Sequence, residues 1–447
     1  MSRIAAIVVL FVSAPAIDPV QAETTTLIVH EWGTFTSFQD SSGATISGIN
    51  VDDEPVPKFV HRLHEMPIFT TRSMPALWSQ GAPRCHPDVT LRLETPVLYF
   101  YPQAGFSVPS LEVRASFNGG WLTEFYPFAD AENSGFPGAL DRLSESSLQW
   151  KALSLAANME GLPSTKEQVW LAPRAVHSAV VTEGRKQEAE KYLFYRGVGH
   201  IDAPMVVREK AGLLDISPRF ASFRPFPELW VVRVQPDGRI RYRHIPAGEH
   251  SGVGIRIPAD DQSRPSDRDN LYREIAGALE KQGLFREEAL AMLETWELSY
   301  FESEGLRVMF VLPRAWTDAQ LPLSISAPAD ITRVMLGRIE LVSDHQRATL
   351  RRLQELPVAA FDLTPLYAES REAQREMQAG TASHAELYRS VGRQVPEALQ
   401  LYDQLGRFRD ALLAHEFKTT RNEVAHARIN LIMQRFSACT AAPAAPD

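Results

Sequence analysis

The sequence predicts an α+β protein: a β-rich, sandwich- or barrel-like body with an inserted helical hairpin, followed by a C-terminal helical region. From residue 25 to about residue 343, apolar and polar side chains mostly alternate, and proline and glycine interrupt the pattern at short intervals. Residues 267–302 instead show apolar residues at helical spacing. Beyond residue 343, runs of β-branched residues become rare, which favours helices.

The first 22 residues have the pattern of a secretory signal peptide. Arg3 precedes an apolar run over 4–12, and small residues end the segment at Ala22. The run of about ten residues is too short to cross a bilayer, which takes about 20. We therefore expect cleavage after Ala22, a periplasmic or secreted location, and no membrane span.

We assign the β-rich body to residues 23–343. Its strand-like segments are rich in β-branched and aromatic residues and cover 26–36, 91–101, 111–117, 122–128, 148–155, 229–234, 240–245, 306–312 and 331–342. Asp237 and Gly238 predict a tight turn between two of them, because glycine supplies the positive φ that the turn requires. The inserted helical hairpin covers 267–302, and Gly283 ends its first helix.

The C-terminal helical region covers 344–437. Its helices are predicted over 345–356, 365–379, 383–393, 396–417 and 419–436. We expect them to pack on the β-rich body. The last residues, 438–447, are rich in alanine and proline and predict a disordered tail.

The charge and the cysteine content of the sequence argue against several classes of protein. Among 447 residues, 46 Lys and Arg are outnumbered by 55 Asp and Glu, which argues against a nucleic-acid partner because such proteins need a basic surface. Two cysteines are too few for a disulfide-dense scaffold or a cysteine-rich zinc module. In an oxidising compartment we expect Cys85 and Cys439 to form a disulfide, with two separate thiols as the alternative.

Several enzyme signatures are absent from the sequence. It contains no glycine-rich phosphate loop, no dinucleotide fingerprint after a strand and no Gly-x-Ser-x-Gly elbow. His-Glu occurs at His30, His64 and His415, but none has the second histidine four residues on that a helical zinc-protease motif requires. The sequence therefore names no reaction.

The most unusual segment of the chain is 30–36, His-Glu-Trp-Gly-Thr-Phe-Thr. Side chains alternate between the two faces of a strand, so His30 and Trp32 share one face with the two threonines, and Glu31 lies on the other. His30 and Glu31 could bind one metal ion only if a bulge, which Gly33 would mark, turned the strand. The alternative is a hydrogen-bonded core histidine and a glutamate paired with an arginine.

This segment also carries a family resemblance. Together with 93–101, 123–127, 194–197 and 305–314, it resembles an uncharacterised family of exported bacterial proteins that share the His-Glu-Trp-Gly-Thr-Phe-Thr motif near the mature N-terminus. The resemblance covers most of 25–342 and is less clear over the helical end. It implies export and a shared architecture, and it assigns no catalytic residue.

Acidic and imidazole side chains in the strand-like segments are the catalytic candidates. They are His30, Glu31, Glu94 and Glu124. Glu94 and Glu124 could act as an acid–base pair, with structural ion pairs to arginine as the alternative. The candidate ligand-binding residues are Trp32, Tyr126, Arg196 and His200. Arg196 and His200 lie at a glycine-rich exit from a strand, where binding groups often occur.

Two stretches could bind a cation. His61 and His64 are three residues apart and with His86 or His200 could form a nitrogen-rich site for a divalent transition metal. Residues 48–55 contain three consecutive carboxylates, which a hard cation prefers, but they lack the spacing of a calcium loop. A solvated acidic turn is the simpler interpretation of 48–55.

The sequence leaves two function hypotheses. The first is a cell-envelope binding or accessory protein with a cleft at the 30–32 strand that holds a small molecule, a glycan or a metal ion. The second is a secreted hydrolase that uses a histidine-bound metal or a Glu/His acid–base pair. Both predict that this strand converges with Glu94, Glu124 or Arg196. A divalent metal is the one cofactor indicated, and whether it binds stays open.

Overall fold

The computed structural model describes residues 27–51, 54–63, 78–79, 82–133, 139–157, 161–220, 227–248, 255–258, 268–362, 388 and 394–437. The signal peptide, the tail with Cys439, His64, the helix expected over 365–379 and all but one residue of 383–393 lie outside the described residues. The expectations for these segments stay predictions.

The strands of the described part run from the N-terminal motif to residue 341. They are β1 (Leu27–Gln39), β2 (His61–Arg62), β3 (Trp78–Ser79), β4 (Ala82–Pro83), β5 (Leu91–Pro102), β6 (Leu111–Asn118), β7 (Gly120–Tyr126), β8 (Asp130–Asn133), β9 (Glu145–Ala156), β10 (Val180–Glu183), β11 (Glu188–Glu190), β12 (Leu193–Gly199), β13 (Met205–Lys210), β14 (Leu213–Pro218), β15 (Leu229–Val234), β16 (Ile240–Ile245), β17 (Ile255–Pro258), β18 (Gly305–Val311), β19 (Leu323–Ile325) and β20 (Asp330–Leu341).

The helices of the described part lie between the strands and after them. They are α1 (Gln168–Arg174), α2 (Arg268–Lys281), α3 (Arg286–Thr295), α4 (Arg314–Gln320), α5 (Asp344–Glu355), α6 (Glu397–Gln404), α7 (Arg409–Thr419) and α8 (Glu423–Phe436), with a π-helical turn at Leu298–Glu302 and a 3₁₀ turn at Val358–Phe361. No helix in this part of the chain is both long and apolar enough to span a bilayer.

β1 is the central strand of a nine-stranded sheet with the order β16-β15-β18-β20-β1-β5-β12-β7-β2. It pairs in parallel with β20 on one side and antiparallel with β5 on the other. Of its 13 residues, all but one are buried. The polar side chains of the 30–36 motif must therefore find their partners inside the protein.

One face of the large sheet packs on a second sheet with the order β11-β10-β9-β6-β19, in which β8 also pairs with β9. The apolar core between the sheets includes Val29 and Phe35 of β1, Leu98 of β5, and Leu148 and Trp150 of β9. The body is a sandwich, and over the described residues the large sheet has open edges at β16 and β2 rather than closing into a barrel. The α+β prediction is confirmed.

Helices cover the opposite face of the large sheet. The predicted hairpin forms α2 and α3, and Leu279 and Trp296 of this segment pack with Trp32 of β1. Near the other end of β1, Phe408 contacts Phe38 with their ring centroids 5.5 Å apart. The C-terminal helices and the hairpin thus cover adjacent parts of one face.

One of the predicted C-terminal helices is divided into two in the structure. The single helix expected over 396–417 is wrong, because α6 ends at Gln404 and α7 begins at Arg409. Gly406 has φ 84° in the turn between them, a left-handed conformation that ends a helix. This turn carries Arg407 to the face of the large sheet.

Gly33 lies opposite a bulge in the neighbouring strand β5. The β1–β5 register shifts between Trp32 and Thr34, and Thr95 of β5 has φ 46°. A Cβ on Gly33 would lie 2.9 Å from Cα of Pro96, which is too close. The bulge that Gly33 marks is therefore in β5, and β1 itself keeps its alternation of faces.

Candidate functional site

The alternation of β1 separates the motif into two groups of side chains. His30, Trp32, Thr34 and Thr36 point toward the helices, while Glu31 points toward the second sheet and contacts Tyr195 and Arg333. Because the strand keeps its alternation of faces, His30 and Glu31 point in opposite directions and cannot bind the same metal ion. The structure places Glu31 in an internal ion pair and not beside His30.

Glu31 is fully buried between two polar partners. Its Oε1 accepts a hydrogen bond of 2.5 Å from the Tyr195 hydroxyl, and Oε2 pairs with the Arg333 guanidinium. Arg333 also contacts Asp318 of α4 at 2.8 Å. These contacts tie α4, β12 and β20 to the central strand.

His30 is buried beneath the helical hairpin. Its Nδ1 lies 2.7 Å from Oε2 of Glu288, which also accepts the backbone N–H of Phe285 at 2.6 Å. Oε1 of Glu288 accepts the Tyr101 hydroxyl at 2.7 Å. His30 and Trp32 are only 3% and 0% exposed, so this part of the strand forms core rather than an open cleft.

A set of buried polar side chains lies further along the same face of β1. We call it the polar cluster and define it by Thr36 of β1, Glu94 and Arg92 of β5, Arg338 of β20, Glu54 and Arg407. Its residues come from five separate parts of the chain. Burying several charges is costly unless they are paired, so such clusters often mark functional sites.

Glu94 is the centre of the polar cluster. Its carboxylate lies 2.9 Å from Arg92 Nε, 3.4 Å from Arg338 Nη2 and 3.3 Å from Arg407 Nη2. Thr36 donates a further hydrogen bond to it at 2.9 Å. These donors surround a fully buried carboxylate and engage its lone pairs, so Glu94 is poorly placed to act as a general base.

Glu54 is the second carboxyl group of the polar cluster. Its Oε2 lies 3.2 Å from Nη2 of Arg407, the same atom that contacts Glu94. Burial, reinforced by the nearby Glu94, raises the pKa of Glu54 to about 7, although Arg338 and Arg92 act to lower it. The carboxyl therefore keeps its proton up to about neutral pH. A solvated acidic turn is the wrong interpretation for Glu54, and the two aspartates before it lie outside the described residues.

The buried polar atoms of the cluster without a hydrogen-bond partner in the described part of the chain include Oε1 of Glu54 and Nη1 of Arg338. Arg338 is fully buried, and its guanidinium lies over the Tyr300 ring, 5.4 Å from the centroid. A buried donor and a buried acceptor in one cluster are the groups that a bound ligand would satisfy.

Arg407 joins the C-terminal region to the polar cluster. Burial lowers its pKa to about 9, although its Nη2 contacts both glutamates. Beside it lies a narrow crevice of about 10 Å³, lined also by Arg307, Glu340 and Phe408. That volume holds about one water molecule.

Glu124 and Arg196 form an ion pair next to the polar cluster. Nε of Arg196 contacts Glu124, and Arg62 Nε lies 3.2 Å from the same carboxylate. Nη1 of Arg196 donates to the backbone oxygen of Glu54 at 3.2 Å. The structure thus brings Glu94, Glu124 and Arg196 into one region of the sheet face, but each carboxylate is held by arginines.

The remaining histidine candidates lie in two places. His61 contacts Glu188 at 2.8 Å, whereas His86 and His200 both contact Asp88, and Nδ1 of His200 donates to the Asp88 backbone oxygen at 2.7 Å. His86 lies 3.9 Å from the Asp88 carboxylate, and burial lowers its pKa. Over the described residues, no group of three or more His, Cys, Asp or Glu side chains is placed to hold a metal ion.

Tyr126 is buried in an aromatic group rather than aimed at the polar cluster. Its ring lies 4.9 Å from Phe59, 5.9 Å from Trp170 and 6.1 Å from His61. The ring therefore packs in the hydrophobic core beside β2 and β7.

Comparison with known proteins adds no assignment, because no protein-family model and no curated protein matches the sequence. Sequence reasoning missed Arg92, Arg338 and Arg407. Arg92 and Arg338 could have been identified as charged residues within otherwise apolar strand segments, but nothing in the local sequence around Arg407 indicates that it is buried.

Proposed function

We propose that the protein is an exported binding protein whose polar cluster holds the carboxylate, or another oxyanion, of a small molecule. The observation that carries the proposal is the fully buried Arg338, whose Nη1 has no hydrogen-bond partner among the described residues. A guanidinium N–H is a strong donor to an oxyanion. The predicted signal peptide supports export.

Glu54 supports the same ligand chemistry. Since its carboxyl keeps its proton up to about neutral pH, it can donate a hydrogen bond to an oxyanion instead of repelling it. The charged groups that face it are Glu94 and Arg92 of β5, Arg338 of β20 and Arg407. We expect anion affinity to fall as the pH rises above about 7, where Glu54 becomes charged.

Binding fits the polar cluster better than the alternative hypothesis of acid–base hydrolysis. A general base needs a free lone pair, and the Glu94 carboxylate is engaged by three arginines and Thr36. The crevice beside Arg407 has a volume of only about 10 Å³. Among the described residues, Arg407 lines this crevice and Arg338 does not, so we expect the Arg407 side chain to move when a ligand binds at Arg338.

A test of the proposal is the substitution Arg338→Lys, which keeps the positive charge and removes the planar donor group. We expect the melting temperature of the wild-type mature chain to rise with acetate at constant ionic strength, because a ligand of the folded state stabilises it. Arg338→Lys should weaken the apparent acetate affinity by about tenfold, the equivalent of one charged hydrogen bond.

The matched control is Arg114→Lys, at an arginine that is about half exposed and contacts Glu132 on the other sheet. It should respond to acetate as the wild type does. An equal response to acetate in wild type and Arg338→Lys, or none in either, would contradict the proposal.

Intact mass spectrometry tests export and the disulfide together. The protein recovered from the periplasm or medium should begin at Glu23 and weigh two hydrogens less than the reduced chain. A non-reduced digest should contain the Cys85 peptide joined to the Cys439 peptide. Retention of residues 1–22 would contradict the export proposal, and alkylation of both cysteines without reductant would contradict the disulfide.

A further inference from the structure

Aromatic rings enclose the arginines of the polar cluster. The centroid of the Phe408 ring lies 5.3 Å from the guanidinium carbon of Arg407 and 5.7 Å from that of Arg92. The Tyr300 ring, in the π-helical turn, lies in the same way against the guanidinium of Arg338. Both rings are buried. A ligand at Arg338 would therefore be surrounded by side chains and would not lie in an open cleft.

The free space beside the polar cluster is very small. The crevice that Arg407 lines has a volume of about 10 Å³, enough for about one water molecule. Phe38, Glu340 and Phe408 also line the crevice, and all three are buried. Protein interiors contain few voids larger than a water molecule, so the space for a ligand has to come from a side chain that moves.

Arg407 is the side chain whose movement makes room. It lies in the turn between α6 and α7, and its guanidinium contacts Glu54 and Glu94. When this side chain turns out of the cluster, it vacates the space of one planar guanidinium group. A carboxylate or nitrate group is also planar and is of similar size. Together with the crevice, the vacated space holds roughly five non-hydrogen atoms.

A larger pocket nearby does not extend this space. It lies at the β15–β16 turn with a volume of about 400 Å³, and Gly305 at the start of β18 lines it. The β18 residue that pairs with Arg338 is Met309. At about 3.3 Å per residue, Gly305 is about 13 Å along the strand from the level of Arg338. A small molecule anchored at Arg338 does not reach that pocket.

We propose that the ligand of the polar cluster is a small free oxyanion of at most about five non-hydrogen atoms, a short carboxylate or an inorganic ion, and not the anionic group of a larger molecule. It takes the place of the Arg407 guanidinium and accepts a hydrogen bond from Nη1 of Arg338. This inference rests on the proposed function, because it needs the oxyanion site. It adds the size limit and the class of the ligand.

The test compares acetate with pivalate, in which methyl groups replace all the methyl hydrogens of acetate. The melting temperature of the mature wild-type chain is measured over a series of concentrations at about pH 6 and constant ionic strength. An open site binds a larger apolar group more tightly, because more surface leaves water. In the closed polar cluster the extra methyl groups overpack the site, so pivalate should bind at least about tenfold more weakly than acetate.

Nitrate distinguishes the two sources of such an anion. It is planar, as a carboxylate group is, and no larger than acetate. Tighter binding of nitrate than of acetate identifies an inorganic ion as the better ligand, and the reverse order identifies a short carboxylate. Either order supports the size limit when pivalate binds most weakly.

The variant Phe408→Ala removes the ring beside Arg407 and enlarges the site. It should raise the affinity for pivalate relative to acetate by about fivefold or more, because the methyl groups then have room. Phe417→Ala is the matched control, because Phe417 of α7 stacks on His426 and does not line the crevice. It should keep the wild-type preference. The wild-type comparison stands on its own if Phe408→Ala does not fold.

The outcomes separate the two proposals. Equal or tighter binding of pivalate than of acetate in the wild type overturns the size limit and leaves the oxyanion site in place, since Arg338→Lys reports on that site independently. A wild-type preference in a folded Phe408→Ala protein also overturns the size limit. If acetate, nitrate and pivalate all leave the melting temperature unchanged, both proposals are overturned.

Discussion

Replacing Glu54 with glutamine is expected to stabilise the protein by about 3 kcal/mol at about pH 8 and to change its stability little at about pH 4. Burial and Glu94 raise the pKa of Glu54 from 4.5 to about 7 in the folded protein. Between these two values the folded state holds a proton that the unfolded chain has lost, so wild-type stability falls as the pH rises through this window. Glutamine resembles the protonated acid and does not ionise, so the variant should not lose stability as the pH rises through this window.

Urea unfolding of the mature chain at a series of pH values measures this effect. The difference in the free energy of unfolding between Glu54→Gln and wild type should grow from about pH 4.5 to about pH 7 and then stay constant. Glu132→Gln, at an exposed glutamate paired with Arg114, is the matched control and should show no such trend. Parallel stability curves for wild type and Glu54→Gln would mean that the Glu54 carboxyl is not held in its acid form.

Replacing Glu94 with glutamine is expected to have the opposite effect and to destabilise the protein. Glu94→Gln should lower the free energy of unfolding by about 3–5 kcal/mol, because it leaves buried arginines without their shared carboxylate. Arg92, Arg338 and Arg407 all contact that carboxylate within 3.4 Å. The two substitutions therefore change the free energy of unfolding in opposite directions. Glu94 supplies the negative charge that the buried arginines need, whereas Glu54 is costly to ionise.

Urea unfolding at about pH 8 gives the measurement for Glu94, with the same Glu132→Gln control. The loss of stability in Glu94→Gln should persist across the pH range in which Glu54 titrates. This distinguishes it from the effect of Glu54→Gln, which depends on pH. A Glu94→Gln protein as stable as the wild type would show that the arginines do not depend on this carboxylate.

Local sequence patterns predicted the elements of the fold. The alternation in 26–36 placed His30 and Trp32 on the face opposite Glu31, and the structure has them so. The Asp237–Gly238 turn joins β15 to β16 as expected. Each of these features depends on residues close in sequence, where strand and turn preferences act directly.

The partners of the buried polar residues could not be predicted in this way. His30 meets Glu288, which is 258 residues away, and Glu94 meets Arg407, which is 313 residues away. Charge alone suggested that Glu54 would be solvated, but the fold buries it beside Glu94. Strands of four residues or fewer were also missed, because they carry too few alternating residues to be distinctive: β2, β3, β4, β8, β10, β11, β17 and β19. The six-residue strands β13 and β14 were missed as well.

Soaking a crystal of the mature protein in selenate would show whether Arg338 holds an oxyanion, because the anomalous signal of selenium locates the anion. We expect a selenium peak with a selenate oxygen about 3 Å from Nη1 of Arg338 and the Arg407 side chain displaced from Glu54. Selenium peaks confined to surface arginines, with the Arg407 contacts to Glu54 and Glu94 intact, would contradict it.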